Sequence, residues 1–590
     1  MPFALSPGVT VIEKDFSSVI PAVSTSAGAF AGVFQWGPVM EPTTITSEDE
    51  LVRIFGRPNK DNYLSFFTAA NFLAYTNNVI VNRVDAAGML NATSVGSVGV
   101  KIKNNADYSM TYKDTNVETY GPFVAKYPGK RGNGIQVIIV DAGRYAAAVT
   151  DAATAPVDAT NAAIIANFSG TPGTSTQAAL KGIANDELHV LVLDSTYGHI
   201  SGTPNQVLEK YEFMSKLKGV VKNDGTNTYF KTVINNSSKY ILAISTLPTA
   251  MLTSTAAADI NWGLHIDNVA AAATLDSVLT TLNAVALANG ADSTIAATDG
   301  EIAAGYTFMA DPLQYDISLV AMGAASPALA NLVIAGLITP RLDCVLFVSP
   351  SDASVTPIIA NGAAAVTAIA TWKTTITNSS YVVMDSGWKY QYDRYNDEYR
   401  WVPLNGDIAG LCARTDYTSD AWFSPGGFTR GQIKNVVKLG FNPGQSERDS
   451  LYNASVNPVV TFPGQGTILY GDKTFMSKPS SFDRINVRRL FIVLEKAIST
   501  AAKYQLFEFN DDFTRAQFKN LVEPFLRNVQ GRRGITDFVV KCDSTNNTGD
   551  VIDANQFVAS IFIKPSRSIN FITLNFVAAR SSVNFSEIGG

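Results

Sequence analysis

Between residues 316 and 348 the chain reads strand, helix, strand, and neither strand alternates. Asp316 to Met322 and Asp343 to Val348 are apolar runs on either side of a helical stretch from Pro327 to Leu337. A strand that faces water on one side alternates polar and apolar residues, whereas an unbroken apolar run belongs to a strand buried on both faces of its sheet. This β-α-β unit therefore requires a sheet covered on both sides. At 590 residues the chain exceeds what one core supports, and its length predicts three or four domains.

Composition narrows the function classes. Hydrophobic residues make up 46% of the chain and charged residues 16%, which is apolar enough to predict surface covered by other subunits. The formal charge of −6 argues against a phosphate-binding surface, since nucleic-acid binders carry a basic excess. The opening Met1-Pro-Phe-Ala-Leu-Ser-Pro-Gly8 lacks a basic segment before an apolar one, so a secretory signal is not expected and folding in a cytosol is. The apolar windows Ile317 to Ile338 and Ile358 to Trp372 are broken by Pro, Gly or polar residues before reaching the ~20 residues that span a bilayer. Cys344, Cys412 and Cys542 lie far apart without C-x-x-C spacing, which predicts reduced, buried thiols.

Ser47-x-x-Glu50 is a capping box for a helix from Glu48 to Phe55, stopped at Gly56. A second helix is expected from Tyr63 to Tyr75, then a strand from Val79 to Val84. From about 91 to 305 the composition turns to Ala, Thr, Asn, Ser and Gly with frequent turn dipeptides, which predicts β-rich insertions. Tyr381 to Trp401 crowds Tyr and Trp among Asp and Arg, a mixture found in ligand surfaces and in subunit interfaces; the interface is the favoured reading. A helix from Ile485 to Gln505 sets Val487, Phe491, Leu494, Ile498 and Ala502 on one face, with Arg489, Lys496 and Lys503 opposite as a basic stripe. A following helix, capped by Thr514-x-x-Gln517, holds Pro524 near its middle, where a kink is expected. Strands are expected at Phe557 to Ile563 and Ile569 to Val577. Short alternating segments at Val9 to Glu13 and around Val583 and Phe585 lie near the two ends. Such isolated strands must find their sheet elsewhere, and an open strand edge is a template for another chain.

No catalytic pattern accompanies these elements. His189, His199 and His265 lack the spacing that sets two imidazoles on one helix face. Gly129-Lys-Arg-Gly-Asn-Gly134 has the wrong order for a phosphate loop. Asp543 to Gly549 starts like a calcium loop, but the positions that need Gly and Glu hold Thr548 and Ala554. Asp393, Asp397 and Glu398 could form a carboxylate pair, but read more simply as solvated or interfacial charges.

The segment Trp401 to Gly431 resembles the core of contractile tail sheath proteins, a V-P-x-x-G-x-[IV]-A-G-x-x-A-R-T-D run leading through a Trp into a P-x-G-x-x-R-G turn. The matching residues are Val402, Pro403, Gly406, Ile408, Ala409, Gly410, Ala413, Arg414, Thr415, Asp416, Trp422, Pro425, Gly427, Arg430 and Gly431. Pro128-Gly129 with Gly132-Asn133, Asn457-Pro458, Lys473-Thr474, Ile485-Asn-Val-Arg-Arg-Leu490 and Phe507-Glu-Phe-Asn510 follow the family's order. The resemblance covers roughly residues 1–140 and 310–580.

It implies an α+β / α/β multidomain fold: a tail-sheath core at 21–92 and 311–475, β-rich inserted outer domains at 93–200 and 201–310, a C-terminal inner domain at 476–578, and extended strand arms at 1–20 and 579–590 that link subunits through Val9, Val11, Glu13, Val583 and Phe585. It also implies a non-enzymatic subunit without cofactor, catalytic residue or metal. Subunits would polymerise as sixfold helical rings around an inner tail tube and contract to drive that tube through the host cell envelope. Arg489, Lys496 and Lys503 would face the tube. Baseplate and tail terminator proteins would be further partners, with neither nucleic acid nor membrane among them. The setting would be the virion tail, assembled in the host cytoplasm. The sheath of a phage-derived injection or secretion system is the alternative within the class. A virion adhesin or polysaccharide-binding protein is the alternative outside it, although no fixed repeat is visible.

Overall fold

The computed structural model describes residues 25–570 and 573, apart from 95–97, 116–117, 155–162, 196–199, 246–261, 272, 276–284, 293–296 and 353–356. Strand β1 (Gly28–Gly32) opens the core, followed by β2 (Thr43–Ile45), helix α1 (Glu48–Phe55), helix α2 (Tyr63–Leu73) and β3 (Val79–Arg83). Ser47 Oγ caps α1 by accepting from the Glu50 N–H, and Gly56 ends the helix with φ 85°. The reciprocal half of the expected box is displaced by one residue: the Glu50 carboxylate accepts from the N–H of Thr46 at 3.0 Å.

The chain then leaves the core. The insertion builds an antiparallel sheet from β4 (Ile135–Asp141), β5 (Glu187–Asp194) and β6 (Val207–Ser215), with the short strand Val285–Ala286 on the free side of β4. Val137 sits opposite Val192, and Val192 opposite Glu209. The sheet therefore crosses residue 200, so the expected division of the insertion there falls inside one sheet, whose larger core takes in Ile135, Val192, Met214 and Trp262. The turn at Pro128–Gly129 anchors this body: buried Arg83 donates to the carbonyls of Gly37 (2.8 Å) and Pro128 (2.7 Å), and Asn133 exchanges two hydrogen bonds with the backbone of Gly290.

Back in the core, α3 (Asp299–Thr307) precedes β7 (Leu319–Ala321), α4 (Pro327–Val333), β8 (Val345–Val348), α5 (Ala363–Thr374) and β9 (Val382–Met384). Helix α4 passes into a π-turn at Ile334–Ile338. Pro340 has no N–H to continue the ladder, and the Thr339 hydroxyl donates to the carbonyl of Ile334 at 2.8 Å. The six strands run β9-β8-β7-β1-β3-β2, all parallel except the edge strand β2. Val320, Leu346, Val348, Val382 and Met384 pack on one side with Ile369 and Trp372 of α5. Leu319, Ala321, Val345, Phe347 and Val383 pack on the other with the α2 phenylalanines. The unalternating strands of the sequence are thus the middle layer of a three-layer stack.

Beyond β9, the hairpin β10 (Trp388–Asp393) and β11 (Glu398–Pro403) leads into α6 (Asn405–Thr418). The C-terminal part holds α7 (Ile485–Ala502), α8 (Asp512–Gly531) and a two-stranded antiparallel sheet of β12 (Ile535–Lys541) and β13 (Ser560–Pro565). Helix α8 starts earlier than expected. Its cap is Asp511, whose side chain accepts from the Thr514 N–H, and Thr514 is already helical.

Candidate functional site

The signature segment folds into the interior. Helix α6 packs beside α2 on the same face of the sheet, and two glycines set the approach of the two helices: a Cβ on Gly406 would lie 2.5 Å from the Thr68 carbonyl oxygen, and one on Gly410 would lie 2.5 Å from the Tyr75 ring. At the start of α6, Asn405 donates to the Gly323 carbonyl (2.8 Å) and accepts from the Gly323 N–H (2.9 Å), and both its N–H and its amide donate to Ser349 Oγ at 3.0 Å. Ser349 in turn donates to Asp385 at 2.7 Å. Gly323, Ser349 and Asp385 follow the carboxyl ends of β7, β8 and β9, the edge where open α/β sheets usually bind ligands. Here the end of α6 fills it. Burial pushes the Asp385 carboxyl up to about 8, against the opposing hydrogen bonds from Ser349 and the Gly387 N–H.

Two buried ion pairs hold this frame. Lys389 of β10 donates to Asp407 of α6 at 2.9 Å and to the Lys434 carbonyl at 3.0 Å, and the Tyr75 hydroxyl donates to the same Asp407 oxygen at 3.1 Å. Burial raises the Asp407 carboxyl and lowers the Lys389 ammonium, while each partner opposes the shift of the other. Arg489 of α7 donates to Asp416 at 2.5 Å and to the Cys412 carbonyl at 3.2 Å. Arg488 beside it lies over the rings of Tyr381 and Phe482.

The expected basic stripe is therefore corrected at its first member. Ile485 to Leu490 are buried around the whole helix circumference, since the first turns of α7 pass between the core and the C-terminal part; Arg489 is 4% exposed and faces Asp416. A single 100° construction assumes one wet face along the entire helix and fails where both sides are covered. Lys496 is mostly covered and pairs with Asp316, and Lys503 is exposed. Val9, Val11, Glu13, Val583 and Phe585 lie outside the described residues.

Three surfaces face outward. The hairpin β10–β11 carries Tyr392 opposite Tyr399 and Tyr390 opposite Trp401, with ring centroids 5.2 and 4.8 Å apart and the Lys438 ammonium over Tyr390 and Trp401. The stretch from the end of α7 into the first turn of α8 exposes Tyr504, Leu506, Phe507, Phe509 and Phe513, with Phe507 in the left-handed region at φ 73°. The sheet β12–β13 presents Val539 and Phe562, directly paired and both more than half exposed. Sequence reasoning met Phe507 and Phe509 only as part of a family motif and did not single out Tyr504, Leu506 and Phe513; a run of five large apolar residues in ten was the available signal.

The other candidates take local structural roles. Asp393 accepts from Arg400, Asn396 and the Tyr395 N–H, Glu398 pairs with Arg400, and Asp397 accepts from Tyr392. His189 is buried against Phe168, with its Nδ1 accepting from the Phe213 N–H. Among the described residues no group of three or more His, Cys, Asp or Glu could hold a metal ion, and no helix is long and apolar enough to cross a membrane.

Three family models match the chain: tail sheath protein Gp18 domain III N-terminal region over 28–84, phage tail sheath protein central domain over 296–475, and phage tail sheath C-terminal domain over 477–579. The tail sheath protein of Vibrio phage KVP40 is 35% identical over 99% of this chain and 100% of its own. The chain belongs to the phage tail sheath protein family. The tail sheath protein of Enterobacteria phage T4 is 32% identical over 99% of both chains, so full-length relatives span the insertion that the family models leave uncovered. Among solved structures, a sheath tail protein from Desulfitobacterium hafniense is 12% identical, with 95% of this chain and 100% of that chain covered at a TM-score of 0.52, and one from Listeria innocua is 11% identical, with 92% and 96% covered at 0.51. These two share the fold. Within the sheath family signature of this chain, Gly406, Gly410, Asp416 and Trp422 are packing and pairing positions: the Trp422 indole donates to the Arg532 carbonyl at 3.1 Å, which ties the end of the signature to the C-terminal part.

Proposed function

We propose that this chain is the structural subunit of a contractile phage tail sheath, polymerising in sixfold helical rings around an inner tail tube and contracting to push that tube through the host envelope. Family membership over nearly the whole chain supports the class. The observation that carries the mechanism is the sheet β12–β13. It has two strands among the described residues, and its inner face is covered by α8, with Ile535 and Val540 in one core with Val522 and Val529. Its outer edges can accept further strands. The arms of neighbouring subunits supply them, through Val9, Val11 and Glu13 at one end and Val583 and Phe585 at the other. Rings linked in this way stay connected while the subunits slide.

The tube contact is proposed at the end of α7, where Lys503 is exposed beside the apolar stretch 504–513. An exposed ion pair contributes only ~0.2–1 kcal/mol, so such contacts hold collectively and release singly. Contraction needs little per subunit: about 300 Å² of extra apolar burial is worth roughly 7 kcal/mol before polar and entropic costs. Baseplate and tail terminator proteins would set the two ends of the polymer. Assembly is placed in the host cytoplasm and the working state in the virion tail. No catalytic, nucleic-acid or membrane role is proposed.

The test is negative-stain electron microscopy of the concentrated full-length protein. Striated hollow cylinders that disappear on deletion of residues 1–15 or 580–590 support the reading. Monomers or trimers under every condition refute it.

A further inference from the structure

Beyond β13 the chain turns back from the C-terminal part to the core, and alternate residues of the returning stretch bond inward. The Ser566 N–H donates to the Gly534 carbonyl at 3.1 Å. The Ser568 hydroxyl donates to Asp472 Oδ2 at 2.6 Å. The Asn570 amide donates to the Tyr452 hydroxyl at 2.9 Å and to Asp472 Oδ1 at 3.2 Å. Arg567 and Ile569, between them, are exposed. The receiving residues belong to the core: Tyr452 lies in the helix Gln445–Asn453, and both it and Asp472 fall within the central sheath domain at 296–475, whereas β12, β13 and the returning stretch fall within the C-terminal domain at 477–579. Asp472 is 3% exposed. Arg484 donates to its Oδ1 at 2.9 Å and also to the Tyr452 hydroxyl, which donates to the same Oδ1 at 3.2 Å. Lys473 donates to the Tyr452 carbonyl at 2.7 Å, so the receiving surface is organised without help from the returning stretch.

A buried carboxylate needs donors on its oxygens, and hydrogen bonds to a carboxylate are shorter and stronger than those between neutral groups. Among the described residues, Arg484, Tyr452 and Asn570 reach Asp472 Oδ1 and Ser568 reaches Oδ2. The returning stretch thus supplies two of the four donors on one buried group. We propose that residues 566–570 form a strap, with Asp472 and Tyr452 as positioning residues that fix where the C-terminal segment leaves the subunit. Five residues span at most ~18 Å. Without the strap the segment starts from the end of β13; with it, the segment starts from the core beside Tyr452. A link rooted at a defined point meets its target at a higher effective concentration than one on a longer free tether. The strap stands on these bonds alone, and only its use in assembly rests on the reading of Val583 and Phe585 as part of a linking arm.

The test combines Ser568→Ala and Asn570→Ala in the full-length protein, which leaves Asp472 with Arg484 and Tyr452. In the unassembled protein, limited trypsin cleavage after Arg567 reads release of the strap, because a folded segment is cut through its opened state. Each rate is divided by that of a free peptide spanning 562–573 with the same sequence, which removes the effect of alanine next to the cut. Cleavage about fivefold faster or more in the double variant is expected, the ratio that one net hydrogen bond supports. A smaller change overturns the strap, and so does an equal acceleration at every exposed Lys and Arg, which would be general loosening. The critical concentration for forming cylinders then reads the positioning role. A rise of about threefold or more in the double variant is expected, and an unchanged value alongside faster cleavage overturns that role. If the wild type forms no cylinders, the assembly reading has failed and the cleavage ratio alone decides the strap.

Discussion

Replacing Lys389 by Met tests whether the signature helix is held by charge. Lys389 and Asp407 are each fully buried, the ammonium has two acceptors, and one Asp407 oxygen has no partner at all. The Lys389→Met variant keeps the length of the side chain and leaves the Asp407 carboxylate with only the Tyr75 hydroxyl. Stranding one member of a buried pair costs ~3–5 kcal/mol, which is at least two powers of ten in the unfolding constant. Adding Asp407→Leu removes the stranded charge, and replacing a whole buried pair by apolar residues is near neutral or stabilising by ~1–4 kcal/mol. The double variant is therefore expected to recover most of the loss. Urea unfolding of the unassembled protein, read by tryptophan fluorescence with Trp388 next to the substituted position, measures all four corners of the cycle. A single-variant loss below ~1 kcal/mol, or a double variant no better than Lys389→Met, would refute a buried charge pair as the tie between β10 and α6.

Gly406→Ala places a methyl group 2.5 Å from the Thr68 carbonyl oxygen, and overpacking of this kind costs ~1–3 kcal/mol; thermal melts are expected to show a lower midpoint, with Gly427→Ala at open space as a comparison for backbone strain alone. Asp385 has a folded value of about 8 against ~3.9 unfolded. The folded state thus holds the proton more tightly, and the associated stability is complete below about pH 4 and lost as pH rises through about 8. The melting temperature of the wild type is expected to fall more steeply between about pH 5 and 8 than that of Asp385→Asn, and parallel curves would contradict this.

The covered parallel sheet was legible because a strand buried on both faces must be apolar throughout, and Leu319–Ala321 and Val345–Val348 are. The cap at Ser47 was legible because it depends on residues three apart. The reading failed where the partners are distant in sequence. Arg489 has the spacing of a wet face, and only its contact with Asp416, 73 residues away, buries it. The division at residue 200 failed because β5 and β6 pair across it, and turn dipeptides mark hairpins and domain borders alike. Tyr390, Tyr392, Tyr399 and Trp401 were legible as a group, yet their outward face was not, because alternation tells which residues share a side without telling which side is wet.

The position of Arg489 carries one last consequence. Asp416 ends the signature helix and Arg489 begins α7, so their ion pair joins the core to the C-terminal part across the exposed loop 477–481. Arg484 with Asp472 and Arg488 on Tyr381 add to the same seam. Removing one partner of a buried pair is costly to a closed seam, because the remaining charge stays buried without its counter-charge. Arg489→Met removes the strongest tie and leaves Asp416 buried, a loss of ~3–5 kcal/mol in the closed state, enough to raise the open population of the seam by two powers of ten. Trypsin cleavage after Arg484, which the closed seam holds against Asp472 ahead of buried Ile485, reads that opening directly. Faster cleavage there, with unchanged resistance in the six-stranded core, is the expected outcome. Cleavage at the wild-type rate would mean that the two parts are held by their apolar contacts and that the charge pair contributes nothing to their rigidity.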